Sequence, residues 1–195
     1  MGKTSPPANV GSLHDVELAT LAATGDRPAF GELVRRHGSA VRALLRRMGA
    51  EPSVADDLAQ DAFLQAFERV AEFRGEGPFA AWVKRIAARL YVRRWRKESR
   101  LVAATDDGEA SEGHGGEAFA ATRIDLDEAL RALPASERMC ISLCYGAGLS
   151  HAEAAEALGA PLGTVKSHVK RGLDRLRGRL APQDGAAAAG RQGHG

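Results

Sequence analysis

Apolar positions along this chain recur at helical rather than alternating spacing, in two blocks separated by polar stretches. In the first block Asp26 is placed to cap a helix with Pro28 in its first turn. Phe30, Leu33, Val34, Val41, Leu44, Leu45 and Met48 make its apolar stripe, with a bend expected near Gly38 and a stop at Gly49. Ser53 and Asp56 stand in a capping-box relation ahead of a second stripe, Val54, Leu58, Ala62, Phe63, Ala66, Phe67 and Val70. Residues 73–77, Phe-Arg-Gly-Glu-Gly, break the pattern. Pro78 then suits the first turn of a third helix of about 20 residues, or about 30 Å. Its stripe is Phe79, Trp82, Val83, Ile86, Ala87 and Leu90.

In the second block, Ser150-His151-Ala152-Glu153 reads as a capping box that opens a short helix. Ala154, Ala155 and Leu158 face inward, and Gly159 closes the helix in a left-handed turn. Pro161 launches another helix, buried along Val165, Val169, Leu173, Leu176 and Leu180. Two helices joined by a short turn containing Gly make a helix-turn-helix, and the small Ala155 allows them to cross closely. The outer face of the second helix carries Thr164, Lys166, Ser167, His168, Lys170, Arg171 and Arg175. In that motif the early positions reach base edges in a major groove and the later ones clamp phosphates.

Three segments lack apolar periodicity and are expected to be disordered: 1–12, an acidic linker at 101–122, and an Ala/Gly-rich tail at 182–195. The expected fold is therefore all-α: two small helical domains, 13–100 and 123–181, joined by a flexible linker, with the helix-turn-helix in the C-terminal one. Three or four helices are expected in the first domain and four in the second. Composition agrees, since only 5% of the 195 residues are aromatic while Ala, Leu, Arg and Glu dominate.

Charge changes the picture more than composition does. The net +2 conceals a strongly basic third helix, where Lys84, Arg85, Arg89, Arg93, Arg94, Arg96, Lys97 and Arg100 face a single acid, Glu98. Mutual repulsion makes such a helix favourable chiefly beside a polyanion. Tyr91 and Trp95 lie i,i+4 among these cations. Two readings stand side by side: a surface that stacks unpaired bases, or a solvated basic face with two partly buried aromatics.

Other chemistry is poorly supported. Asp56, Asp57 and Asp61 could begin a metal site, but a completing motif is absent and acids suit a first helical turn anyway. Cys140 and Cys144, with His151 downstream, lack an apparent fourth zinc ligand, and the cysteines sit in an apolar helix. No nucleophile–base constellation or phosphate-binding glycine loop appears, so neither an enzyme, a metal nor a cofactor is expected. Two cysteines and no signal-like N-terminus point to the cytoplasm, and no apolar run is long enough for membrane insertion.

Four motifs, in order, resemble those of extracytoplasmic-function sigma factors, group 4 of the sigma-70 family. They are Asp56-Asp57-Leu58-Ala59-Gln60-Asp61-Ala62-Phe63; Phe79-Ala80-Ala81-Trp82-Val83-Lys84-Arg85-Ile86-Ala87; Leu130-Arg131-Ala132-Leu133-Pro134 with Glu137-Arg138; and Leu158-Gly159-Ala160-Pro161-Leu162 running into Gly163-Thr164-Val165-Lys166-Ser167-His168. The resemblance implies a factor that binds RNA polymerase core, recognises −35 and −10 promoter elements and melts the −10 region. Core docking, on the β′ clamp, would fall to Asp56, Asp57, Gln60, Asp61, Phe63 and Leu64. Reading and melting of the −10 element would fall to Trp82, Lys84, Arg85, Arg89, Tyr91, Arg93, Trp95 and Arg96. The second domain would sit near the β flap and read the −35 element through the helix-turn-helix residues Thr164 to Arg175 named above. Promoter DNA and an anti-sigma factor are the other expected partners. The chain departs from the family pattern at Ala88-Arg89, where many relatives carry Arg-Asn after Ile-Ala, and at Arg93, His168 and Gly172, where they often carry Asp, Arg and Ala. A stand-alone helix-turn-helix regulator is the alternative, and it leaves the first block's motifs unexplained.

Overall fold

The computed structural model describes residues 10–105 and 126–180, and every described element is helical. A 3-10 turn, Val10–Ser12, leads into α1 (Asp15–Ala23), α2 (Arg27–Met48) and α3 (Pro52–Glu68). A second 3-10 turn, Val70–Glu72, precedes α4 (Phe79–Thr105). The C-terminal part comprises α5 (Leu126–Arg131), α6 (Ala135–Ile141) with a π-helical continuation at Ser142–Gly146, α7 (His151–Leu158) and α8 (Leu162–Leu180). Each of the two expected domains is thus a four-helix unit.

Local signals account for most of the boundaries. The Asp26 side chain accepts from the Ala29 amide at 3.0 Å, and Gly49 closes α2 at φ 112°, a conformation that penalises any Cβ. Between these caps α2 runs unbroken through Gly38. At α3 the expectation fails, because the helix starts two residues earlier than a Ser53 cap requires, with Glu51 at the cap and Pro52 in the first turn. Proline's fixed φ and missing N–H make it competent there without a side-chain cap. Helix α4 runs to Thr105 over 27 residues, past the expected start of the linker, and Val10–Ser12 is helical where disorder is expected. The turn at Val10 is held from outside its own sequence, since Arg36 donates to the carbonyls of Gly11 at 2.9 Å and Leu13 at 2.8 Å. The remaining linker residues, 106–122, and the tail lie outside the described residues.

In the first domain α2 is the central helix, packed by α1, α3 and α4. Leu33, Val41, Leu45, Phe79 and Val83 are fully buried among them. Phe30 meets Phe63, Phe67 and Phe79 with ring centroids 4.9–6.5 Å apart, in tilted or edge-on geometry. In the second domain α8 packs across α6, and Gly172 marks the crossing: a Cβ there would lie 2.5 Å from Ile141 Cδ1.

The two domains also pack on each other. Met139, Cys140, Leu143, Ala147, Leu149 and Ala154 belong to the same buried cluster as the first domain's core. Leu44 of α2 touches Gly146, Arg47 pairs with Asp127 at 2.5 Å, and Arg85 donates to the Gly148 carbonyl at 2.7 Å.

Candidate nucleic-acid interface

The helix-turn-helix is built as its local sequence requires. Ser150 accepts from the Glu153 amide at 3.2 Å, and Glu153 accepts from the Ser150 amide at 2.8 Å, completing the capping box. Those hydrogen bonds hold the Glu153 carboxyl below its usual range, helped by Arg85 and Arg89. Gly159 turns the chain at φ 63°, and the Pro161 carbonyl accepts from the first amides of α8. With Val165, Val169 and Leu176 buried, Thr164, Lys166, Ser167, Lys170, Arg171 and Arg175 are exposed on one side of α8, and His168 is half-buried.

That face rests on a residue that the family motif includes but that carries no role in the sequence pattern. Glu137 of α6 is buried, its side chain 4% exposed, beneath Arg171 and Arg175 at 3.5 and 3.4 Å. Its Oε2 atom makes no hydrogen bond, so these two ion pairs carry its compensation. The Arg171 guanidinium also lies 3.1 Å from His168 Nδ1. Glu137 stands more than 30 positions before its partners, and no spacing rule for helices reaches that far.

On α3, the residues Asp56, Asp57, Gln60, Asp61 and Leu64 follow the i, i+4, i+8 geometry of one helix face and are all exposed. Leu64, 56% exposed, is the apolar member of that otherwise polar face. Phe63 does not join that face. It is buried against Phe30, because it falls on the inward stripe with Ala59, Ala62 and Ala66.

Helix α4 separates the two readings of its aromatics. Arg85, Arg89, Arg93, Arg94, Lys97 and Arg100 are exposed, whereas Lys84 and Arg96 are half-buried. Trp95 is 36% exposed and available for stacking. Trp82 is half-buried, with ring centroids 5.6 Å from both Phe73 and Phe79. Tyr91 departs from the expectation of a basic, base-facing aromatic. It is buried beside Ala87, Ala88 and Val92, and its hydroxyl points toward Gly49 where α2 ends. Burial pushes the Tyr91 phenol up from its ordinary value, with Arg138 acting in the opposite direction. Arg96 donates to the Ala157 carbonyl of α7 at 3.3 Å, so part of the basic face is already engaged by the second domain.

The cysteines face the core. Cys140 is 1% exposed, and burial pushes its thiol up to about 11, the wrong direction for a thiolate ligand or redox sensor. Asp56 lies 3.7 Å from Arg42, and among the described residues no group of three His, Cys, Asp or Glu is arranged to hold a metal. Nor, among those residues, is any helix long and apolar enough to cross a membrane.

These features define a two-domain helical protein with a helix-turn-helix whose outer face is basic, and with a second basic helix in its other domain. The comparisons with known proteins narrow the class. Residues 33–101 match the family Sigma-70 region 2, and residues 123–176 match Sigma-70, region 4. The ECF RNA polymerase sigma factor SigE of Mycolicibacterium smegmatis is 33% identical over 180 residues, 87% of this chain and 70% of that protein. The RNA polymerase sigma factor NccH of Alcaligenes xylosoxydans xylosoxydans is 34% identical over 171 residues, covering 83% and 92%. Among solved structures, CnrH in complex with the cytosolic domain of CnrY aligns with a TM-score of 0.50 at 30% identity, over 85% of this chain and 96% of that one. The sigma factor RpoE in complex with the anti-sigma factor NepR from Bartonella quintana gives 0.52 at 27%, over 79% and 98%. The chain belongs to the sigma-70 family, in its extracytoplasmic-function group. Its function is that of an RNA polymerase sigma factor, with core polymerase and promoter DNA as partners.

Proposed function

We propose a division of this activity among three helix faces. The exposed face of α3, Asp56, Asp57, Gln60, Asp61 and Leu64, docks on the clamp of the polymerase β′ subunit. The α8 face reads the −35 element, with Thr164, Lys166, Ser167 and His168 nearest base edges and Lys170, Arg171 and Arg175 on phosphates. The α4 face takes the −10 region. Melting there needs no covalent chemistry and no catalytic residue: unpaired bases are captured by stacking, worth about 1–3 kcal/mol each, while arginines hold the strand's phosphates. Trp95 and the open edge of Trp82 do the stacking. Tyr91 serves them from behind as a packing residue.

The observation that carries this reading is the coexistence, in one chain, of an acidic face with a protruding leucine and two basic faces on separate domains. A protein binding DNA alone would have no use for the first. The setting is the cytoplasm, where polymerase acts, and an anti-sigma factor is a further partner, supported by the RpoE–NepR complex.

Run-off transcription from sheared genomic DNA, with bacterial core polymerase and this protein, tests the assignment. Discrete transcripts that require both components are expected, and mapping their starts would reveal the two elements. Sequence-specific duplex binding without core, and no transcripts with it, would overturn the proposal.

A further inference from the structure

Between α4 and α7 lies a cleft of about 820 Å³, within the size range of small-molecule sites. One wall is Arg89, Arg93, Arg96, Lys97 and Arg100; the other is Glu153, Glu156 and Ala157. The five cations come from successive turns of one helix, so they span about 16 Å. Among the described residues the ion pairs of α4 are confined to Arg94–Glu98 at 2.7 Å, which leaves the cleft-facing cations uncompensated by carboxylates on their own helix. Across the gap, Glu153 is committed to the Ser150 amide. Glu156 is exposed and projects from the α7 wall as an acceptor.

We propose that this cleft binds a compact polyphosphate, the triphosphate of a nucleotide or an inorganic equivalent. Guanidinium groups hold phosphate oxygens in pairs, and several in a row match a short run of phosphates better than any monoanion. A long strand fits less well, since it would have to enter and leave past the α7 wall carrying Glu156. The same carboxylate can accept from a ribose hydroxyl or a base amino group, which favours a nucleotide over the bare anion. The two walls belong to different domains, joined here by Arg96 on the Ala157 carbonyl. An occupant therefore bridges the domains and competes for cations assigned above to the promoter strand. That competition rests on the proposed function, whereas the binding itself does not.

Calorimetry on the full chain, with tripolyphosphate, ATP and GTP as titrants and adenosine as control, tests the site. One-to-one binding of the three anions is expected, with none for adenosine. Tighter binding of ATP or GTP than of tripolyphosphate identifies the nucleotide as the source, and the reverse identifies the inorganic anion. Ala157→Glu puts a carboxylate inside the cleft and should weaken all three at least tenfold, with helical content checked by circular dichroism. Glu156→Ala, at an exposed position safe for folding, should strengthen tripolyphosphate binding several-fold while narrowing any preference for nucleotides. Absence of binding, or affinities indifferent to Glu156→Ala, would overturn the site, because the anions would then be lying on the outer basic stripe. In a separate arm, a single-stranded oligonucleotide should displace bound ATP. If it does not, the anion site stands and the placing of the promoter strand on α4 falls.

Discussion

Glu32 illustrates how a single side chain can organise its surroundings. It accepts from Arg35 Nε and Nη2 and from Arg36 Nε, each at 2.7 Å. Those hydrogen bonds, Arg35's first, hold its carboxyl down to about 2 from an ordinary 4.5. Because the folded value is depressed, its contribution is complete above about pH 4.5 and is lost as pH falls toward 2. Melting curves should show Glu32→Gln less stable than the parent at neutral pH, with the gap closing across that window. Glu137 makes a second residue-scale case. Glu137→Gln removes a negative charge from beneath Arg171 and Arg175, so non-specific duplex affinity should rise and its salt dependence steepen by about one phosphate-equivalent. Discrimination between −35 sequences should change little, because Arg171 and Arg175 are placed on phosphates, which carry no sequence information. Fluorescence anisotropy on matched and scrambled duplexes over a salt series measures both. The surface cations were legible from sequence because exposed charge repeats locally. Glu137 was not, since its meaning depends on which helix covers it.

At the scale of elements, helix periodicity assigned most faces, although Leu180, expected in the buried stripe of α8, is 43% exposed at the end of that helix. Phe63 belongs to the apolar stripe of α3, and only the family resemblance set it on the docking face; Tyr91 lies beside the stripe of α4, where helical spacing alone leaves inward and outward placement undecided. Packing holds both inward: Phe63 against Phe30, and Tyr91 beneath the end of α2. The faces that remain give separable tests. Replacing Lys166 and Arg171 with Ala should weaken −35-dependent promoter binding by the holoenzyme at least tenfold, since a bidentate base contact contributes about 1–3 kcal/mol. Core association, measured by gel filtration or anisotropy, should be unchanged. Asp61→Arg reverses charge on the α3 face and should reduce core affinity at least tenfold while leaving the melting temperature within a few degrees, because Asp61 is exposed. If core affinity is unaffected, the docking surface lies elsewhere.

The whole molecule is held by a small number of contacts between its domains. A Cβ at Gly146 would lie 2.5 Å from Leu44 Cδ1, and Leu44 is only 2% exposed, so it has little room to yield. Gly146→Val should therefore part the domains. Small-angle scattering should record a larger radius of gyration, while circular dichroism shows the same helical content. An unchanged radius would mean that the polar ties, Arg47–Asp127 and Arg85 to Gly148, suffice to hold the pair. Opening should also release Arg85 and Arg96 from the carbonyls of the second domain, adding two cations to the surface available to a nucleic acid.

Local sequence accounts for most of the helices, the caps of α2 and α7, the helix-turn-helix and the signs of its surface charges. All of these depend on residues within about four positions of one another, the range over which a helix repeats. Only the packing of whole helices turns Tyr91 inward, anchors the Val10 turn and sets Glu137 beneath the arginines of α8. It also decided that the two domains share a buried surface and enclose a cleft. Those features join residues tens of positions apart, so they follow from how whole helices cross rather than from any pattern along one of them.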